Sequence, residues 1–162
     1  MNGLIELFAG LPRELATMLT AMLPIGELRL SIPVALGVYK LSIFSSYFFA
    51  VIGNIIPVIF LLLFLEPGSR WLIQNSKIFN RFFSWLFART RDKHLEKFEL
   101  LGAIALITLV ALPVPLTGAW TGTVAAFVFG VPFWRALLYI SVGVGIAGFI
   151  VTLASLGFFA II

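Results

Sequence analysis

The sequence predicts an all-α integral membrane protein built as an inverted repeat. Each half is expected to be a re-entrant helical hairpin followed by a transmembrane helix. Three observations carry this reading. The 162 residues are 61% hydrophobic and 11% charged, whereas soluble domains are about a quarter charged. Two apolar stretches each break at an internal Leu-Pro, at Leu23-Pro24 and at Leu112-Pro113. Seven of the 11 Lys and Arg residues lie together in one segment between those halves.

The chain opens on MNGLIELFAGLPRE, which carries Glu6 and no basic leader, so it is expected to remain in the mature protein. The first hairpin is expected over about 12–38 as ELATMLTAML, PIGELRLS and IPVALGVYK. An arm of about 9–13 residues is roughly 14–20 Å long as helix, against a hydrocarbon core of about 30 Å. One arm therefore cannot cross, but two arms with a polar tip can enter and leave by the same face. Unwound backbone at that depth is tolerated only where protein or a water-filled cavity surrounds it. A spanning helix is expected next, over about 44–65, with a kink near Gly53, Asn54 and Pro57. Proline there releases the carbonyl four residues back, that of Gly53.

Residues 67–99 form a basic linker with Arg70, Lys77, Arg81, Arg89, Arg91, Lys93 and Lys97. Short Lys/Arg-rich loops stay in the cytoplasm, so the linker is expected inside. Its Trp71, Asn75, Ile78, Phe82 and Leu86 recur at helical spacing opposite Arg70, Gln74, Lys77 and Arg81. That pattern suits a helix lying in the headgroup plane. His94 falls in the same charged stretch and is read as solvated. The high pI of about 9.9 therefore reflects topology, and no nucleic-acid partner is expected.

The second half repeats the order. Its hairpin is expected over about 100–129, as LLGAIALITLVAL, PVPLTGAWTG and TVAAFVFG, and its span over about 134–160. Ser141, Gly143, Gly145, Ala147 and Gly148 give that span a small-residue face for helix packing. Pro24 and Pro113 lie 89 residues apart, Lys40-Leu41 aligns with Gly130-Val131, and Gly53 aligns with Gly143. A hairpin plus one span makes an odd number of crossings, so the second copy must be inverted. With the linker inside, the first hairpin opens outward, the second opens to the cytoplasm, and both termini lie outside. Broken helices in matching positions of two halves point to a transport site near the midplane.

The chemistry is expected at the two tips. Glu27 and Arg29 are costly in hydrocarbon, and intramembrane ionisable residues are functional candidates by default. The opposing tip offers Thr117, Gly118, Trp120, Thr121 and Gly122. There the glycines leave backbone N–H groups accessible, the Thr hydroxyls can donate to an anionic oxygen, and Trp120 presents an aromatic face. A structural ion pair at Glu27–Arg29 and a tightly packed glycine turn are the plainer readings of the same residues. With no cysteine the chain has no disulfide and no thiolate. No nucleophile–base pair or metal cluster is visible, so neither an enzyme nor a cofactor is expected.

LPIGELRLSIPVALG, followed after the linker by ALPVPLTGAWTGTVAAFVFG, resembles the small multidrug export proteins over essentially the whole chain. That family is regarded as distantly similar to the DedA/VTT membrane proteins. The resemblance implies a DedA-like fold of two inverted re-entrant hairpins with adjoining transmembrane helices. Some DedA proteins are implicated in flipping undecaprenyl phosphate, and the acidic and basic residues of their hairpins would map here to Glu27 and Arg29. The DedA second hairpin typically carries an arginine after its Pro-Gly, where this chain has Thr117-Gly118-Ala119-Trp120. That departure argues against a phosphate-lipid substrate. The expectation is a multi-pass exporter of a small amphipathic substrate in the cytoplasmic (inner) membrane of a bacterium or archaeon. It would be surrounded by membrane lipid, homodimeric and proton-coupled. The alternatives are a lipid-phosphate flippase and a non-transporting membrane scaffold or assembly factor.

Overall fold

The computed structural model describes residues 8, 10–75, 95–113 and 117–161; of residues 66, 68–75, 95–100 and 161 it describes the backbone alone. The expected amphipathic stripe of the linker and His94 lie outside the residues whose side chains are described.

The described residues form six helices: α1 (Arg13–Met22), α2 (Glu27–Gly37), α3 (Ile43–Asn75), α4 (Leu95–Ala111), α5 (Ala119–Val128) and α6 (Phe133–Ile161). Both expected breaks are present. Leu23 is extended, with φ −72° and ψ 134°, because the ring of the following Pro24 disfavours α geometry in the residue before it. The break covers residues 23–26, and α2 starts at Glu27 itself. The charged pair thus sits in the first turn of a helix, whereas the sequence suggested a longer unwound tip. The second break likewise follows α4 at Leu112-Pro113 and closes at Gly118.

Each half then turns with a residue at positive φ, Lys40 (53°) in the first and Gly130 (68°) in the second. After α5 the Val131 N–H donates to the Ala126 carbonyl at 2.9 Å and Gly130 N–H to Phe127 at 3.0 Å, a Schellman ending that favours glycine. In the first half Leu41 N–H reaches the Ala35 carbonyl at 3.0 Å. Ser42 caps α3, its Oγ accepting from Ser45 N–H at 3.1 Å. α3 remains one helix through Pro57 and Pro67 and continues past residue 65 to Asn75.

Two stretches are long and apolar enough to cross a membrane, Ile43–Leu65 and Phe133–Ala160, and most of each is left uncovered by protein. Phe44, Phe60, Phe64, Trp134, Leu138 and Phe149 face outward. Exposed apolar surface along whole helices fits a lipid environment, since lipid tails solvate it.

The packing partners recur between the halves. α1 packs on α2 and α3, and α4 packs on α5 and α6. α3 and α6 meet each other, α2 reaches across to α6, and α5 reaches across to α3. Matching glycines permit the closest approaches. A Cβ on Gly53 would collide with the Met18 backbone of α1, coming to 2.7 Å from its Cα. A Cβ on Gly143 would stand 2.7 Å from Val110 Cβ and 3.0 Å from the Ile107 carbonyl of α4. The rest of the small face on α6 receives Tyr47 of α3, whose hydroxyl donates to the Gly145 carbonyl at 3.0 Å. Ring atom Cε2 of Tyr47 lies 3.0 Å from where a Gly148 Cβ would be. That face is therefore used within the chain. The core between these helices contains the fully buried Ile32, Val58, Ile140 and Val144.

Candidate functional site

The two breaks meet. Glu27 is the first residue of α2 and holds φ 43°, a left-handed conformation uncommon outside glycine. Its side chain crosses to the start of α5, where Trp120 N–H donates to Oε1 at 3.5 Å. The Ala119 N–H also interacts with the same carboxylate. Gly118, the N-cap of α5, makes no side-chain cap. Its Cα faces Glu27 so closely that a Cβ would stand 2.6 Å from both Cδ and Oε1 of the carboxylate. Gly118 also holds φ 148°, so both space and backbone geometry require glycine there. Glu27 thus serves from the opposite half as the side-chain cap of α5. A negative group at a partly buried helix N-terminus contributes about 0.3–2 kcal/mol.

Arg29 completes a second link. Its guanidinium donates to the Thr117 carbonyl, on the residue before the N-cap of α5. It also acts on Glu27 as the nearby opposite charge. One acidic and one basic side chain of the first tip are therefore both tied to backbone groups of the second.

The remaining expected residues divide. The Thr117 hydroxyl donates to the Leu112 carbonyl at 3.0 Å and the Thr121 hydroxyl to the Gly118 carbonyl at 3.2 Å. Both hydroxyls thus serve the turn of their own tip, where the sequence suggested donors to a ligand. Gly122 faces Val110 of α4, so its missing side chain lets α5 pack rather than opening an amide. Trp120 contributes its main-chain N–H to the carboxylate, and its indole Nε1 is buried without a hydrogen-bond partner.

The sequence reading passed over the role of Asn54. It is 1% exposed on α3 and turns its amide toward the Glu27 carboxylate, at a separation too long for a formed hydrogen bond. Burying an unpaired amide costs about 1–3 kcal/mol. The signal was available, since Asn54 is a lone amide among apolar residues at mid-span. Ser31, one helical turn after Glu27, and Ser46 also bury hydroxyls without partners.

No curated protein and no solved structure matches the chain. The family model described as "Putative small multi-drug export protein" matches residues 27–150, a stretch that begins at Glu27, just past the first break, and takes in the second. On that match the chain is a membrane protein of the small multi-drug export protein family.

Proposed function

We propose that the chain is a proton-coupled exporter of small amphipathic substrates, with its site where the two tips meet. The observation that carries this reading is the Glu27 carboxylate held between the two halves, joined to α5 by the Trp120 amide and to Arg29 by charge. A half-buried acid whose partners belong to two separate hairpins changes its surroundings whenever the hairpins move apart. Opening to one side would expose Glu27 to protons from that side, and closing would return it to the amides of α5. One proton entering by Glu27 would then accompany one substrate leaving.

The recurrence of packing partners supports an inverted-repeat frame for this cycle. So do the matched roles of Gly53 and Gly143, and the positive-φ turns at Lys40 and Gly130. The short α1 and α2 are proposed to enter and leave by the outer face, and α4 and α5 by the cytoplasmic face. The linker would lie in the cytoplasm of a bacterium or archaeon, and the protein would be a homodimer. A scaffold gains nothing from an acid at this depth. A lipid-phosphate flippase would want a second cation at the opposing tip, where Thr117 and Gly118 stand.

The test uses proteoliposomes loaded with pyranine and held under an imposed pH gradient. Members of a panel of amphipathic compounds are added in turn. Wild type should dissipate the gradient with at least one compound, and Glu27→Gln, which keeps the side chain's size but cannot release a proton, should do so with none. Undiminished dissipation by Glu27→Gln refutes the coupling role and leaves Glu27 as a structural cap.

A further inference from the structure

The start of α5 is a site for a carboxylate, and its occupant is the protein's own side chain. Gly118 provides a surface without a side chain, the N–H groups of Ala119 and Trp120 stand beside it, and Arg29 supplies one positive charge. A helix N-terminus whose amides point outward is suited to anions. Asn54 adds the independent indication, as a fully buried amide turned toward the carboxylate with no closer hydrogen-bond partner. A cation here would meet Arg29 and the positive end of α5.

We infer that this cradle receives the carboxylate of a small amphipathic substrate, that Glu27 is its internal competitor, and that Asn54 takes up the Glu27 side chain when substrate displaces it. The inference rests on reading the tips as a transport site and names the substrate class that site would accept. The chemistry selects carboxylate over phosphate. The cradle already holds a planar group carrying a single charge, and Arg29 is the charged partner that acts on it. A dianionic tetrahedral phosphate would need more room beside Gly118 and a second cation.

Asn54 suits the second position because its amide can donate to a carboxylate or accept from a carboxylic acid. It therefore serves Glu27 whether or not the proton has arrived. The matching position of α6, one residue after Gly143, is the apolar Val144. The receiving group thus belongs to one half alone, which gives the exchange a direction across the pseudo-symmetric frame.

The experiment is equilibrium binding of radiolabelled octanoate to purified, bead-bound protein, with unlabelled octyl phosphate, octyltrimethylammonium and octanol as competitors and no pH gradient. Octanoate should bind, and none of the three should displace it at equal concentration. If Glu27 fills the cradle for about nine-tenths of the time, Glu27→Ala should tighten octanoate binding about tenfold. Arg29→Gln should lose it. Asn54→Ala should weaken binding to the otherwise wild-type protein and leave the Glu27→Ala protein unchanged, because it acts only through the displaced side chain. Glu27→Gln, equal in size and uncharged, gives the same direction of change should Glu27→Ala fail to fold.

Octanoate binding that is unchanged or weaker in a monodisperse Glu27 variant overturns the inference, as does preferential displacement by octyltrimethylammonium. Displacement by octyl phosphate would move the site to phosphate headgroups and overturn the carboxylate assignment. Octanoate binding without gradient-driven transport would keep this inference and remove the exporter reading. Transport of a compound that octanoate does not displace would do the reverse.

Discussion

Gly118→Ala tests the meeting of the tips directly. Two costs fall on it. The backbone at φ 148° and ψ −164° lies in a region that is essentially glycine-only, and a side chain there costs about 1–3 kcal/mol. The new methyl would also stand 2.6 Å from Cδ and Oε1 of Glu27, so the carboxylate must leave the α5 amides. A hydrogen bond to a charged group contributes about 1.5–3 kcal/mol, and the 3.5 Å separation from Trp120 N–H places this one at the lower end. The expected loss is about 2–5 kcal/mol, read by reversible SDS unfolding in mixed micelles. Gly130→Ala is the control, because it carries a positive φ of 68° with open space around the new methyl. It should cost about 1–2 kcal/mol from strain alone. The decisive measurement is the double variant with Glu27→Ala, where Gly118→Ala should cost less than in wild type by more than about 0.5 kcal/mol. Strict additivity, or a Gly118→Ala loss no larger than that of Gly130→Ala, would refute the contact.

Single cysteines introduced at Lys40, at Lys93 and near the C-terminus should be labelled from outside intact cells at position 40 and the C-terminus and protected at 93; strong external labelling at 93 reverses the proposed orientation. Gly53→Ala should destabilise by about 1–3 kcal/mol through overpacking, because its methyl meets the Met18 backbone. Gly102→Ala, on α4 with nothing within 4 Å, should be neutral or gain up to about 1 kcal/mol. SDS unfolding of the pair distinguishes close helix approach from a general effect of removing glycine. Asn54→Ala should cost less than about 1 kcal/mol in the same assay, since it removes an amide that makes no hydrogen bond; a loss of several kcal/mol would show that Asn54 holds the fold together.

The helices were legible because their causes are local. Proline disfavours helix at the residue before its ring, so Leu23-Pro24 and Leu112-Pro113 marked both breaks. Continuous apolar runs marked α3 and α6. Bounds set by longer-range packing were less legible, as when α3 ran on through Pro67 and α2 began at Glu27 itself. At the site, charge in an apolar setting singled out Glu27 and Arg29, and glycine singled out Gly118. Partner choice was not legible. Thr117 and Thr121 read as ligand donors because hydroxyls can serve either a turn or a ligand, and only geometry shows their bonds to Leu112 and Gly118 carbonyls. Asn54 was hidden among the features of a proline-containing helix, because nothing in its neighbours along the chain indicates that it faces Glu27.

On the proposed coupling role, the left-handed backbone at Glu27 sets stability and function against each other during selection. At φ 43° an L residue costs about 1–2 kcal/mol relative to glycine, and Gly26 already precedes it. A laboratory population selected only for heat tolerance should hold position 27 loosely, because Gly or Asn there relieves the backbone and forfeits a bond of similar worth to α5. One selected for export should hold Glu there and collect its stabilising changes elsewhere, at sites such as Gly102. The codon at 27 would then report which pressure a lineage has lived under, independently of any assay on the purified protein.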